Sequence, residues 1–325
     1  MGTIGVGVIG GGKHGERYLR HAHRDVAALS VAALARRDHA AGEAQAGQID
    51  GTYHRSWEAL VDDPSVALVV AVVPPTLHLA IARRVAAAGK ALLVEKPLAP
   101  SGAEAREIVE VVRRAGTPAV MAHTLRWNVV VQAVRSALPG LGPLRALGLT
   151  QRFEPSPLAW LDRPEISGGG ILLHTGVHGF DLVRFLTGME VSRVLCRTRS
   201  TATQRTEDNF AAILELAGGE ALVTVTGSRD SRGRCGLIDA AGTEGLILAD
   251  HQQHWGHVVR GIEREPLPLT PPGPTVCAVL ESAVSHLARG TPLPATLEDG
   301  ARAVLVADAC LESARTGAPI DVEPL

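Results

Sequence analysis

Three glycines in the run Ile4-Gly5-Val6-Gly7-Val8-Ile9-Gly10-Gly11-Gly12-Lys13-His14-Gly15 fall in the spacing G-x-G-x-x-G, directly after an apolar β-type stretch. Glycine at the first position, Gly10, permits a tight turn off a strand, and at the second, Gly12, it lets backbone approach a pyrophosphate. At the third, Gly15, it lets the next helix pack close to a sheet. A helix beginning near Lys13 aims its free N–H groups and positive dipole end at those phosphates. Tyr18 and Leu19 among Glu16, Arg17 and Arg20 give that helix an amphipathic pattern. In a chain with 35 glycines the bland alternative is a structural turn, so the motif needs support from elsewhere.

Arg36 and Arg37 follow the second apolar run. An acidic residue in that place hydrogen-bonds a ribose 2′-hydroxyl, whereas arginine suits a 2′-phosphate. The pair therefore favours NADP(H), with NAD(H) still possible through the adjacent Asp38; two surface arginines are the plain reading. Val94-Glu95-Lys96-Pro97 closes another run, where a lysine could polarise a carbonyl or donate a proton as hydride moves. Glu95 could pair with that lysine, and Pro97 fixes the turn with a possible cis bond. His14 in the glycine loop is expected to cap or line the cofactor site, and Pro74 and His78 to approach the nicotinamide.

A second group lies in Ser167-Gly168-Gly169-Gly170 and the following helical stretch to Asp181. His174 and His178 stand at i and i+4 and share a helix face, with Asp181 on much the same side. They could be a metal pair completed by His123 or Asp181, although the glutamate of H-E-x-x-H is missing. His178 could instead be an acid/base beside Lys96, or both could be merely hydrogen-bonded histidines. The reading adopted is acid/base, with no metal. His251, His254 and His257 in HQQHWGH lack a common helical face and are taken as a surface loop.

These residues need a scaffold that gathers them. Strand-like runs at Ile4–Ile9, Val31–Ala35, Leu68–Val73, Ala91–Val94 and Ala119–Ala122 alternate with helical stretches near 13–24, 39–47, 76–88 and 101–115. Near-continuous apolar strands alternating with helices predict right-handed βαβ units and a doubly wound parallel sheet. Ligands bind such sheets beyond the carboxyl ends of the strands, where Gly10–Gly15, Arg36–Arg37, Pro74–His78 and Glu95–Pro97 all fall. From about residue 123 the pattern changes: helices near 127–138 and 171–187, then β-rich runs from Leu144 to Ile262 that suggest an antiparallel meander. Residues Glu265–Pro274 read as a loop, and helices near 275–289 and 297–315 finish the chain. The expected division is a dinucleotide-binding domain over 1–122 and a substrate-binding and oligomerisation domain over 123–325, whose last helix could pack back on the first.

Composition narrows the partners. A net charge of −2 with 20% charged residues gives no electrostatic case for nucleic acid or an anionic membrane. No apolar run approaches the ~20 residues that span a bilayer, and no leader is evident. Four scattered cysteines, Cys196, Cys235, Cys277 and Cys310, fit reduced thiols, so a cytoplasmic location is expected.

The glycine loop, Pro74–His78, Glu95-Lys96-Pro97, the 168–181 segment and the closing stretch from Glu298 to Val322 together resemble the Gfo/Idh/MocA family of sugar and cyclitol oxidoreductases. The resemblance implies an N-terminal Rossmann domain and a C-terminal α/β domain with a large, open, mainly antiparallel sheet, whose outer face serves dimer or tetramer contacts. It implies that Lys96 and His178 match the catalytic lysine and histidine. Relatives often carry aspartate where this chain has His174, a neutral imidazole supplying no charge to orient the histidine. Arg126 and Trp127 match an Arg-aromatic position in relatives, and His174, Arg126, Trp160 and Asp181 are expected to contact a sugar or polyol substrate. Besides hydride transfer, a cofactor-sensing regulator and a transient-oxidation lyase or hydrolase with tightly held cofactor fit the same residues.

Overall fold

Residues 2–325 are described in a computed structural model of the chain. The first half runs β1 (Ile4–Ile9), α1 (Gly15–Arg24), β2 (Leu29–Ala35), α2 (His39–Gly47), β3 (Thr52–His54), α3 (Trp57–Asp62), β4 (Leu68–Ala71), α4 (His78–Ala87), β5 (Ala91–Glu95), α5 (Gly102–Ala115) and β6 (Ala119–Ala122). The six strands pair in the order β3-β2-β1-β4-β5-β6, every pair parallel. This is the doubly wound order, and strand order reverses between β1 and β4. Every residue of β4 and β5 is buried, which is why these strands read as unbroken apolar runs. β3 and α3 were not expected. Three half-polar residues and a six-residue helix are too short to show a period.

The second half runs α6 (Val129–Ala137), β7 (Leu144–Arg152), α7 (Pro164–Ser167), a π-helical turn (Leu172–Gly176) and α8 (Val177–Thr187). It continues with β8 (Val191–Arg199), β9 (Asn209–Leu216), β10 (Leu222–Ser228), β11 (Cys235–Gly242), β12 (Gly245–Asp250), β13 (Trp255–Arg260) and β14 (Glu263–Pro266), then α9 (Thr275–Arg289), α10 (Leu297–Thr316) and β15 (Ile320–Asp321). Nine strands form one sheet in the order β14-β13-β12-β11-β7-β10-β9-β8-β15. The expected meander is corrected: β7 lies between β11 and β10 and runs parallel to β10, so the sheet is mixed though mainly antiparallel. β7 enters long before β10 in sequence, and short-range turn signals carry no information on such insertions. β14 takes the first two residues, Glu265 and Pro266, of the expected loop Glu265–Pro274.

Burial alternates along β9, β10 and β11, so one face of this sheet is packed and the other open. α8 lies on the packed face against β7 and β10. Gly179 permits this, since a Cβ there would meet Val225 Cγ1 at 2.6 Å. The chain forms two compact units. One comprises residues up to Ala99 with Ala103–Thr124 and Pro274–Ala301; the other comprises Pro100–Gly102, Leu125–Gly273 and Arg302–Leu325. Helix α9 thus belongs to the unit of the parallel sheet, where it packs on α1.

Candidate functional site

In the first unit the glycine loop leaves β1 at the point where strand order reverses. Gly10 adopts φ +101°, and a Cβ there would lie 2.1 Å from the Val72 carbonyl oxygen. A Cβ on Gly15 would lie 1.7 Å from the Gly10 carbonyl oxygen, so only glycine lets α1 approach the loop. Around Gly12 nothing lies within 4 Å of a Cβ position, which leaves the open backbone that a pyrophosphate needs. The loop therefore fits a dinucleotide. α1 begins at Gly15, two residues later than expected, because His14 is its N-cap. We expect Gly15→Ala to abolish NAD(P)H binding in a fluorescence titration and to destabilise the protein by about 2 kcal/mol or more through overpacking, read in chemical denaturation.

Glu95 is the hub of this site. Its Oε1 accepts bonds of 2.6 Å from both His14 Nε2 and Tyr18 Oη, and its Oε2 accepts from the Lys96 amide at 3.0 Å. Burial pushes the carboxyl up, but His14, the nearby Lys96 charge and Tyr18 together hold it below the usual range. Burial beside this carboxylate also raises the Tyr18 phenol. Beside the nearby Lys96 charge, the carboxylate thus takes side-chain donors from His14 and from Tyr18 of α1, together with the Lys96 backbone N–H. The Lys96–Pro97 peptide is cis. Tyr18 was missed as a site residue, because its role depends on a partner 77 positions away.

His78 does not face an open site. It is 1% exposed, with its ring nitrogens 3.0 Å from the Leu98 carbonyl and 3.1 Å from the Val73 carbonyl, and burial lowers its pKa. It ties the Pro74 loop to the segment after Pro97. Arg36 reaches Gln45 Oε1 at 3.1 Å, and Arg37 and Lys13 are exposed. Asp38 caps α2 by accepting from the Ala41 amide, which commits its carboxylate to the helix.

In the second unit, His174 lies in the π-turn and not in a continuous α-helix. The local winding therefore departs from the α-helix on which the His174–His178 spacing was read. His174 Nε2 donates to the Ser167 carbonyl at 2.9 Å, and its ring meets the edge of Trp160 at 5.6 Å between centroids. His178 opens α8 and is half-buried. Asp181, expected to touch substrate, is 1% exposed and takes both Nε and Nη2 of Arg126, itself 6% exposed, at 2.9 and 2.5 Å. The Arg126 guanidinium also lies 5.1 Å from the Phe185 ring centre. Their charges are held in a fork inside the unit.

The expectation of a surface loop at HQQHWGH is corrected for His251, which is 6% exposed with Nδ1 lacking a partner. Burial brings its pKa down to about 4. Asp250 accepts the amides of Gly236, Gln252 and Gln253 and folds the turn inward, seating the ring against Gly236. Among the described residues, no cluster of three or more His, Cys, Asp or Glu could hold a metal ion, and no helix is long and apolar enough to cross a membrane.

Residues 4–123 match the family model described as an oxidoreductase family with an NAD-binding Rossmann fold, and residues 146–322 match that family's C-terminal α/β domain. The chain is similar to inositol 2-dehydrogenase 1 of Saccharopolyspora erythraea, 29% identical over 99% of this chain and 97% of that protein. It resembles the solved structure of a putative myo-inositol dehydrogenase from Sinorhizobium meliloti 1021, with TM-score 0.85 and 25% identity over 99% and 100% of the two chains. A levoglucosan dehydrogenase solved with NADH and levoglucosan shares the fold, with TM-score 0.89 and 22% identity over 99% and 100%.

Proposed function

Because the chain belongs to the Gfo/Idh/MocA oxidoreductase family, we propose that it moves hydride between a nicotinamide cofactor, preferentially NADP(H), and a carbinol or ketone carbon of a sugar, sugar derivative or cyclitol. The observation that carries this reading is the glycine loop at the β1/β4 reversal, with its phosphate approach left open at Gly12 and Lys96 following β5 of the same sheet. The names of the inositol and levoglucosan dehydrogenases support the polyol substrate class. A bound nicotinamide supplies or accepts the hydride.

The chain's own residues handle binding and protons. Gly10, Gly12, Lys13, His14 and Gly15 hold the pyrophosphate at a helix N-terminus, and Arg36 and Arg37 meet the 2′-phosphate. Lys96 donates a hydrogen bond to the reacting oxygen, and His178 takes or returns its proton. Trp160 and His174 shape the substrate side. Arg126 and Asp181 hold α8 and so position His178. The cofactor task falls to the unit of the parallel sheet, which Pro274–Ala301 joins, and the substrate task to the unit that begins in earnest at Leu125. The open face of the nine-stranded sheet, with Ile213 50% and Leu222 72% exposed, is where a homodimer or homotetramer would form.

Titration of the purified protein with NADPH and NADH, followed by turnover of a polyol panel, tests this reading; binding of neither cofactor ends it. Arg36→Ala is expected to weaken NADPH binding about tenfold, or ~1.4 kcal/mol, while NADH binding changes little. Equal losses for both cofactors would remove the 2′-phosphate assignment.

A further inference from the structure

The mixed sheet gathers several loops at one end. β7 and β10 run parallel and finish there at Arg152 and Ser228, while β9, antiparallel to β10, begins there at Asn209. Between these loops lies a cavity of about 140 Å³, lined among others by Ser156, Leu158, Gly170, Thr203, Glu207 and Arg229. Gly170 and Ile171, at its wall, lead directly into the π-turn that carries His174. Arg229 donates from Nε to Thr175 Oγ1 at 3.1 Å, and Thr175 is the residue after His174. Among the described residues, none takes a hydrogen bond from its two terminal amino groups. Burial brings the guanidinium down to about 10, with Glu207 the charge that opposes this. Glu207 itself is pushed up by burial and accepts the Leu172 amide, which makes it a poor counter-ion. A guanidinium offers five donors in a planar fork, and among the described residues a single one is taken up.

The other two carboxylates at the cavity are already committed. Asp208 accepts the amides of Thr201, Ala202 and Thr203, and Asp162 those of Gln204, Arg205 and Thr206, so both fasten the 201–206 loop. Burial pushes Asp208 up, but these amides outweigh it and bring it to about 2. The sign follows: stability from this staple is complete above about pH 4 and is lost as pH falls toward 2. We expect Asp208→Asn to lower thermal stability at pH 7 and to flatten the melting temperature of the protein between pH 4 and 2.

We propose that Arg229 is a substrate-specificity residue, and that the polyol taken by this protein carries a carboxylate that docks on the Arg229 fork in the cavity at the start of the π-turn. The proposal rests on the sugar-oxidoreductase reading above. A cavity of this size has room for a carboxylate with its attached carbon. Asp162, Glu207 and Asp208 also line the cavity, so an anion is held there only by docking on the Arg229 guanidinium itself. A dianionic phosphate would meet about twice the repulsion that a carboxylate meets from these acids, with no further cation lining the cavity.

Isothermal titration of the full-length protein, with and without saturating NADPH, tests this using D-glucuronate, D-galacturonate, the neutral parent sugars and D-glucose 6-phosphate. At least one uronate is expected to bind tenfold or more tighter than its neutral parent. Arg229→Met is expected to bring that ratio close to one, and Arg229→Lys to restore part of it, because charge returns without the fork. Equal binding of acid and parent, tighter binding of the phosphate, no uronate binding, or an unchanged ratio in Arg229→Met overturns the proposal. The wild-type comparison needs no variant, so a misfolded mutant cannot mask the answer. Arg229-dependent uronate binding without turnover of any sugar would remove the hydride-transfer reading and leave this site. Turnover of neutral sugars with no uronate preference would do the reverse.

Discussion

Lys96→Met is expected to lower kcat by about a hundredfold to ten-thousandfold, the range for losing a positioned proton donor. At 1.36 kcal/mol per tenfold, this is about 3–5 kcal/mol of transition-state stabilisation. NADPH affinity, read by fluorescence titration, should change less than threefold, because the pyrophosphate grip resides in the glycine loop. Methionine keeps the length and apolar stem of lysine and removes only the ammonium. The Glu95 hub uses the Lys96 amide, which the substitution preserves. Arginine should not rescue, since its planar fork places charge farther from the backbone. A kcat within threefold of wild type, with hydride transfer measured in a single turnover, would remove the catalytic assignment.

Asp181→Ala is expected to destabilise the protein by about 3–5 kcal/mol, because it removes the carboxylate onto which the buried Arg126 guanidinium is forked. For a unit of this size the melting temperature should fall by roughly 10 °C, at about 2–4 °C per kcal/mol. Replacing both partners, as Arg126→Met with Asp181→Leu, should recover most of that loss. The comparison separates two roles. If Asp181 only positions α8, the double variant regains kcat along with stability. If Asp181 touches substrate, stability returns and KM stays raised. The buried geometry leads us to expect the first outcome.

Much of this was legible beforehand. Each strand of the parallel sheet was evident except β3, because strands buried on both faces leave apolar runs that no surface segment imitates. The three glycines were legible with their tasks, since each task follows from lacking a Cβ. The fork between Arg126 and Asp181 was not, nor was the convergence of His14 and Tyr18 on Glu95. Those bonds join residues 55 to 81 positions apart, and nothing local marks either end. His251 was misread for a related reason: a polar, loop-like run was folded inward by amides gathered on Asp250.

The sequence by itself determined the parallel sheet, the glycine loop at its switch point and the placing of Lys96 after a buried strand. These depend on short-range periodicity and on side chains that are absent. Only the tertiary structure decided which charges are spent and which are available. It showed Asp38 capping a helix, Asp181 held by Arg126, His174 placed on a π-turn, and Arg229 lining a cavity. The reason is physical: a polar group's role depends on the partners that burial forces it to find, and those partners are brought by distant elements.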